Sequence, residues 1–506
     1  MPRTAFHPGS RLPPFMTALW GGLFTAQVIS TLHVYLSNID LYRQTLLIAD
    51  AGFLTVPAGG AISRLTEFGA ACGGGLFFTL TIGVMLTLAA FGYAWVWERF
   101  FQRRKSVTAT GLALWTVLLV AVNAGGLVIF PTAYVLFIPP VVFGLAVKRI
   151  SAGSRKEIGT YMYAPLAALL VLSGTWAFHI DREVFIDFRD YLLLSNSLGR
   201  CVNDFYYDYT LYPARTFKPL EQKLLKTARV INLTDERLLF QAGKQLLKED
   251  YIPLEHAANV DLTLEQDKDR LVFKRNGKAV LSAGVTDFLS NPGKWLKIYS
   301  QETDTHVFFR IMTLSALLAG LPAGILAFSY SLVYFGFTWF LSEKKASIAA
   351  SVLCLITGLS FLVLFYDLRK GPYEKEDISR LIRSQKTNER IAGLRLVHKE
   401  KLEIADYPAD IQRLKGSTIP ERYWLAMALS VSRNPSTLLN LKQMLHDPQP
   451  NVACKAVYAL GRRGGRSMIP VMLKVIASSS HWYVQTYAYH AAKDLGWKQA
   501  KSGSIR

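Results

Sequence analysis

The sequence is poor in the residue patterns that build metal, nucleotide and redox sites. Only four cysteines occur in 506 residues, without CxxC spacing or a companion histidine cluster. The chain also lacks a phosphate-binding loop, a glycine-rich dinucleotide motif between a strand and a helix, and metal-ligand spacing. His33 and His179 could in principle face each other as haem ligands, but isolated histidines are more often interface residues. We therefore expect no disulfide framework, no metal and no cofactor.

Charged residues are missing from the centres of the long apolar runs. Hydrophobic residues make up 51% of the chain, and most runs approach the ~20 residues that cross a bilayer. The first run is too long, and lacks the cleavage site, for a typical signal peptide. Ion-coupled transporters usually carry charged groups where the substrate crosses, so a transporter is disfavoured. We predict a polytopic α-helical membrane protein from runs at roughly 14–36, 74–97, 109–130, 131–147, 160–179, 307–341 and 346–366.

Basic residues in short loops indicate which ends of the helices face the cytoplasm. The N-terminus and three loops share this property, at Arg3, Arg11, Arg99, Arg103, Arg104, Lys105, Lys148, Arg149, Arg155, Lys156, Lys344 and Lys345. The segment 180–306 then lies outside, in the periplasm if the cell is a Gram-negative bacterium. We expect the protein to be integral to a bacterial inner membrane.

The apolar run 307–341 leaves the number of spans open. As one helix it would measure about 52 Å at ~1.5 Å per residue, beyond a ~30 Å hydrocarbon core. One projecting helix gives seven spans and leaves the C-terminal region outside. Two helices hinged at Gly320, Pro322 and Gly324 give eight and return that region to the cytoplasm, which Arg369 and Lys370 favour. We prefer seven spans.

The predicted domains follow from these runs. They are a five-helix transmembrane domain (1–179), an extracytoplasmic α+β domain (180–306), further transmembrane helices (307–368) and a C-terminal repeat domain (369–506). In the α+β domain, Asn276 and Gly277 suit a type I′ turn between two antiparallel strands. Residues 257–265 alternate like a third strand. Helical spacing marks 219–230 and 235–250, with Thr234 and Asp235 as caps for the second.

Tyrosines cluster in the segment 204–216, which also contains Asp204 and Asp208. The residues are Tyr206, Tyr207, Tyr209 and Tyr212. Clustered tyrosines suit a binding groove, since each offers rigid contact area with a polar tip. They also suit the aromatic belt of a membrane protein or the core of the domain itself. We prefer this structural interpretation to a binding groove.

The C-terminal region repeats a pair of helices. The longer helices, beginning with NERIAGLRLV, ERYWLAMALS, NVACKAVYALG and YVQTYAYHAAKDLG, start some 30 to 33 residues apart. Paired helices at such a period indicate an α-solenoid. In this pattern Asp447 and Pro448 open a helix, Val452, Ala456, Ala459, Leu460 and Gly461 line and close it, and Ile469 and Pro470 start the next. The last repeat has the matching Trp482, Tyr483, Val484, Ala488, Leu495 and Gly496. This stretch, about 375–498, resembles HEAT-like repeats of the type found in phycobilisome lyases. The resemblance implies a protein-binding solenoid and identifies no lyase nucleophile, and we expect Cys454 to be a buried helix residue.

These patterns favour a membrane-anchored scaffold or assembly factor that binds other membrane or periplasmic proteins through its repeats. Residues 367–506 carry 24 Lys and Arg against 12 Asp and Glu, scattered rather than in one block, so nucleic acid is a disfavoured partner. The candidate partner-binding residues are Arg462, Arg463, Arg466, Trp482, Tyr483, Tyr487, Tyr206 and Tyr207. The alternatives are a transporter subunit and an enzyme acting on a lipid-linked substrate. The plan of the enzyme would resemble that of membrane glycosyltransferases, with Asp40 or Asp50 in the first outer loop as base.

Overall fold

The computed structural model describes residues 14–151, 155–179, 181, 183–210, 218–232, 236–255, 257, 259–368 and 373–501. Several residues named above lie outside them: Arg3, Arg11, Tyr212, Thr234, Asp235, Arg369 and Lys370. The chain forms two compact units. The first, here the apolar unit, comprises Met1–Val34, Cys72–Asp181 and Thr305–Leu364. The second, here the mixed unit, comprises Tyr35–Ala71, Arg182–Asp304 and Phe365–Arg506.

Long apolar helices account for the apolar unit. Six helices in the described part of the chain are long and apolar enough to cross a membrane, and Tyr163–Ala177 is a shorter apolar stretch. Close packing uses glycine: a Cβ on Gly75 would lie 3.0 Å from the Ser30 hydroxyl oxygen. The helices are Pro14–Asp50, Phe68–Phe78 continued by Val84–Arg99, Lys105–Val122, Ile129–Ser151, Arg155–Ala177, Val307–Ser315 continued by Leu321–Phe337, and Glu343–Leu368.

The run that left the span count open is one continuous helix from Val307 to Phe337. A single π-helical stretch, Ala316–Gly320, joins its two α-helical parts. This wider stretch ends just before Pro322, whose ring nitrogen has no hydrogen to donate to the preceding turn. The backbone thus absorbs the proline by widening the helix, without a hinge.

The first helix is longer than predicted and continues to Asp50. The prediction of an outer loop starting near residue 37 is therefore wrong, and the connection begins after Asp50. The reason is a second apolar stripe at helical spacing, Leu41, Thr45 and Ile48, which is buried within the mixed unit. Gln44 on this extension also donates a hydrogen bond to the Asp261 carboxylate at 2.5 Å.

A five-stranded sheet lies in the mixed unit, with strand order β2-β1-β3-β4-β5. The strands β1 and β2 and the strands β1 and β3 are parallel, whereas β3, β4 and β5 are antiparallel neighbours. The predicted hairpin is confirmed: Asn276 and Gly277 both have positive φ, and Val272 pairs with Ser282. The strands are β1 Lys226–Ile231, β2 Tyr251–Pro253, β3 Leu262–Asp267, β4 Arg270–Arg275 and β5 Lys278–Gly284.

One predicted helix of this region is wrong and one is confirmed. Residues 226–231, part of the predicted helix 219–230, form β1, the strand between β2 and β3. Pairing on both edges and burial of Ala228 outweigh the weak helical spacing of this segment. The helix Glu236–Lys248 is present as expected. The other helical segments here are Gly60–Ser63, Arg64–Thr66, Val184–Asp187, Phe188–Leu193, Ser197–Phe205, Tyr206–Thr210, Leu220–Gln222, Val285–Ser290 and Pro292–Glu302.

The repeat region consists of paired helices, as predicted. Four longer helices stack beside one another: Thr387–Glu400, Ile419–Leu429, Pro450–Arg463 and Trp482–Asp494. The shorter helical segments are Lys375–Asp377, Ile378–Arg383, Pro408–Lys415, Thr437–Met444, Arg466–Met468 and Ile469–Ser478. Cys454 is 1% exposed within its helix, which confirms its prediction.

Two details of the predicted repeat pattern need correction. The third long helix begins at Pro450, not at Asp447 and Pro448, and it continues past Gly461 to Arg463. The Asp447 carboxylate instead accepts a hydrogen bond from the backbone N–H of Gln449 at 2.9 Å and binds the Arg422 guanidinium of the preceding repeat. Asp447 therefore connects two repeats, because its two oxygens can serve different donors.

Segments distant in sequence share one hydrophobic core in the mixed unit. It includes Ile48 from the first helix, Val56 from the connection after it, Leu194 and Ile252 from the middle of the chain, and the inward residues of the repeats such as Leu425. The sheet has a second, smaller core around Phe273. The repeats therefore fold together with the middle of the chain and do not form an isolated appendage.

Candidate functional site

One side of the repeat array contacts a strip of the same chain, residues 183–210, which we call the docking strip. Arg395 of the first long helix binds both Glu183, at 2.6 Å, and Asp187. Trp424 of the second long helix donates its indole N–H to Asp190 at 2.6 Å. Farther along the strip, the rings of Tyr207 and Tyr483 lie 5.3 Å apart. The strip thus occupies a face that solenoid proteins commonly offer to partners.

Asp190 lies at the centre of this contact and is fully buried. Its carboxylate binds the neighbouring Arg189 at 2.7 Å, and the Arg189 guanidinium lies 4.0 Å above the ring of Tyr423. Burial raises the pKa of Asp190, although Arg189 and Trp424 oppose the shift by favouring the charged form. A buried carboxylate with two donors holds the strip in one register on the repeats.

A lysine enclosed by tyrosines lies beside this pair. The Lys455 ammonium is 5.4 Å from the ring centroids of Tyr423 and Tyr487 and 5.6 Å from that of Tyr458. Burial by itself would lower the pKa of Lys455, but Tyr423 and Tyr487 raise it on balance. The tyrosine faces thus stabilise a half-buried cation, and this cluster belongs to the interior of the contact.

The predicted partner-binding aromatics lie mostly in this intramolecular contact. The rings of Tyr483 and Tyr487 pack edge to face with centroids 5.0 Å apart, and the Tyr207 ring also contacts Tyr483. Trp482 packs against Leu41 and Leu65. Tyr206 is the most accessible of the group, at 46% exposure. The structure therefore brings these candidates together, on a surface that the chain covers with its own residues.

The connection after the first helix is fixed to the last repeat. The buried Gln485 amide exchanges two hydrogen bonds with the backbone of Ala58. Arg64 binds Asp208 of the docking strip at 3.0 Å. On the sheet side, Asp250 accepts hydrogen bonds from the Tyr489 hydroxyl and the Lys493 ammonium, both at 2.6 Å. Three separate stretches of chain therefore converge on the repeats.

The three candidate arginines differ in their surroundings. The Arg463 guanidinium donates to the carbonyls of Leu429 and Asn434 at 2.7 and 2.9 Å, so it joins successive repeats. Arg466 is exposed and lies 3.6 Å from where a Cβ on Gly496 would be. Arg462 is exposed, and its one described hydrogen bond goes to the Tyr458 hydroxyl. Arg462 and Arg466 are thus accessible to a partner.

The two aspartates proposed as catalytic bases are both exposed on the first helix. Asp40 is 3.8 Å from Arg43, with its side chain 79% exposed. Asp50 is the last residue of the helix, ten residues later, which corresponds to about 15 Å along the axis. The structure does not bring the two carboxylates together, and a catalytic role for either remains a prediction.

Two polar side chains inside the apolar unit, those of Gln27 and His33, have protein partners. The Gln27 side chain donates to the Cys72 carbonyl at 2.9 Å and accepts from the Thr79 hydroxyl at 2.8 Å. His33 is buried between the rings of Phe78 and Phe130, whereas His179 is exposed and bonds the Thr175 carbonyl. The two histidines therefore occupy different surroundings.

Sequence reasoning named Arg462 but missed the other basic residues at the same edge of the repeats. His398, Lys399, Lys401, Arg433 and Arg462 line a common cleft where three long helices end. A signal was present, because Lys401, Arg433 and Arg462 follow one another at separations of 32 and 29 residues, near the repeat period. The docking strip was missed too, since nothing in residues 183–210 identifies the repeats as their partner.

Comparison with known proteins agrees with the repeat assignment. A family model described as HEAT repeats matches residues 408–493, which supports the resemblance drawn from the sequence. Neither the curated proteins nor the solved structures contain a match to this chain. HEAT repeats suggest a protein-interaction scaffold, and the match does not extend to the apolar helices.

Proposed function

We propose that this protein is a membrane-anchored scaffold or assembly factor that presents its HEAT repeats, fixed to its own middle domain, to other proteins of a bacterial inner membrane. The observation that carries the proposal is the shared core of the mixed unit, in which Val56, Ile252 and Leu425 belong to one cluster. Such a core makes the repeats a rigid platform, and rigidity lowers the entropy lost on binding.

The same core supports a topology with seven spans. If the apolar helices cross a membrane, the three segments of the mixed unit must emerge on one side of it. Four helices separate residues 71 and 182, and two separate residues 304 and 365. An even number of crossings returns the chain to the same side of the membrane each time. The basic residues near 99–105 and 148–149 then lie on the opposite side, which the positive-inside rule assigns to the cytoplasm.

This proposed topology has a direct test by labelling of introduced cysteines in intact cells. Leu439 is 63% exposed on a short repeat helix, and Ser106 starts a helix next to the basic loop. We would introduce Leu439→Cys and Ser106→Cys separately, with the exposed Cys72 and Cys201 replaced by serine. A membrane-impermeant maleimide should label position 439 in intact cells and position 106 only after lysis. The reverse pattern would contradict the topology.

The scaffold role requires partners that bind the folded protein. Deleting the repeats is a poor test, because it would expose the shared core and leave Asp190 without Trp424. Charge reversal on the exposed surface is sharper. We would purify the protein in mild detergent and identify stoichiometric partners by mass spectrometry. The same experiment on Arg462→Glu/Arg466→Glu, which leaves the core intact, should reduce a specific partner. If the protein purifies alone, the scaffold role fails.

The enzyme alternative predicts a different result for a substitution in the first helix. Asp40→Asn should abolish function while leaving abundance unchanged if the carboxylate is a base. Because Asp40 is exposed and its contact with Arg43 is long, we expect the substitution to be neutral in a scaffold. Complementation of a deletion strain by this variant separates the two functions.

A further inference from the structure

A basic cleft lies at the edge of the repeat array, with a volume of about 460 Å³. Three repeats contribute to it. His398 and Lys399 come from the last turn of the first long helix and Lys401 follows it, Arg433 follows the second, and Arg462 lies in the last turn of the third. No carboxylate is among the described residues that line it.

The cations of this cleft are not neutralised within the described part of the chain. Lys399, Lys401, Arg433 and Arg462 form no ion pair within 4 Å among the described residues. The carboxylates of Glu400 and Glu403 lie in the same stretch but bind other groups than these side-chain cations. Glu400 binds Lys375 at 3.2 Å, and Glu403 accepts hydrogen bonds from backbone N–H groups, including that of Arg433 at 2.8 Å. A cluster of one sign without counter-charge raises the local concentration of anions.

The position of each cation alone has an ordinary explanation, because basic residues stabilise the negative end of a helix dipole. That explanation does not account for their convergence on one cleft from three successive repeats. Burial lowers the pKa of His398, the hydrogen bond of its ring to the Met427 carbonyl opposes the shift, and the nearby Arg462 lowers the pKa further. The convergence of these cations favours a ligand with several negative charges.

We infer that this cleft binds an acidic segment of a partner protein, whose Asp and Glu carboxylates pair with Lys399, Arg433 and Arg462. Packed helices lie about 8–10 Å apart, and alternate side chains of an extended chain lie about 7 Å apart. An extended acidic segment can therefore reach cations of successive helices. The lining residues described include no Phe, Tyr or Trp, so the cleft lacks the large rings on which the bases of single-stranded nucleic acid stack.

The inference deepens the proposed scaffold role by naming the chemistry of one binding surface. Its test is binding of a fluorescent decaglutamate peptide to the full chain in neutral detergent, at low ionic strength. The test variant is Lys399→Gln/Arg433→Gln/Arg462→Gln. The matched control, Lys442→Gln/Lys474→Gln/Lys498→Gln, removes three exposed charges outside the cleft. Reactivity of the buried Cys454 thiol verifies that each variant is folded.

We expect the test variant to bind the peptide at least about tenfold more weakly than wild type, and the control to bind unchanged. If the triple variant does not fold, Lys399→Gln and Arg433→Gln are tested singly, since both side chains are exposed.

No binding by wild type, or equal loss in the control, would overturn the inference. Binding of soluble short-chain phosphatidylglycerol through the same three residues, without peptide binding, would also overturn it and identify a lipid headgroup site. Neither outcome removes a partner found by co-purification, so failure here and failure of the scaffold role are distinguishable.

Discussion

Gln485 and Ala58 exchange two hydrogen bonds although 427 residues separate them. The Ala58 N–H donates to Oε1 of Gln485 at 2.8 Å, and Nε2 of Gln485 donates to the Ala58 carbonyl at 2.9 Å. The same Nε2 also donates to the Ser479 carbonyl at 2.7 Å. Gln485 is fully buried, so both groups of its amide are engaged away from water. This side chain therefore ties the connection after the first helix to the last repeat.

Gln485→Ala should loosen this connection. It leaves the buried Ala58 N–H and carbonyl without their partner, at about 1–3 kcal/mol for an unsatisfied group. The reporter is the buried Cys454 thiol, whose labelling requires local opening. With the exposed cysteines replaced, its labelling should accelerate roughly 10- to 100-fold, since ~1.4 kcal/mol corresponds to a factor of ten. Gln443→Ala, at an exposed position, is the control and should leave the rate unchanged.

Asp190→Ala should destabilise the docking strip more strongly. The substitution removes the acceptor of the Trp424 indole and leaves Arg189 without its partner in a buried site. Removing one member of a buried ion pair costs about 3–5 kcal/mol. Cys454 labelling and tryptophan fluorescence should both report the loss. Asp190→Asn keeps an acceptor for Trp424 and should be milder, so equal effects of the two substitutions would refute this account.

Gly461→Val should separate the last two long helices. A Cβ at position 461 would lie 2.7 Å from the Cβ of Ala491, closer than side chains pack. Overpacking of this kind costs about 1–3 kcal/mol. We expect a lower unfolding midpoint in denaturant for the full chain in detergent. Gly243→Val is the comparison: a Cβ there meets nothing within 4 Å, and valine has a higher helix propensity than glycine, so the midpoint should not fall.

The mixed unit should lose stability in mild acid. Burial lowers the pKa values of His398, His481 and His490 below their usual range. The unfolded chain therefore binds protons first as the pH falls below about 6.5, and the free energy of unfolding decreases. Denaturant midpoints measured at pH 7.5 and 5.5 should show the decrease before carboxylates titrate. His481→Gln/His490→Gln should reduce the difference; an unchanged difference would exclude these two histidines as its cause.

Local features of the fold were accessible from the sequence. The positive φ at Asn276 and Gly277 needs residues that tolerate it, so this turn could be identified from two letters. The helix pairs and the buried Cys454 followed from a repeat period of 30 to 33 residues, because stacking neighbours must bury the same positions. The apolar runs likewise gave helices of membrane-crossing length. Each of these depends on interactions between residues close in sequence or on a repeating pattern.

Tertiary structure decided what those local features contact. β1 departs from its predicted helix because strands on both sides pair with it. The first helix continues to Asp50 because Leu41 and Ile48 are buried within the mixed unit. The tyrosines at 207 and 483 meet each other only through a fold that joins residues 276 positions apart. The amphipathic faces of the repeats were determined by the sequence alone. Which surface covers each face depends on long-range packing, and no spacing rule within one segment contains that information.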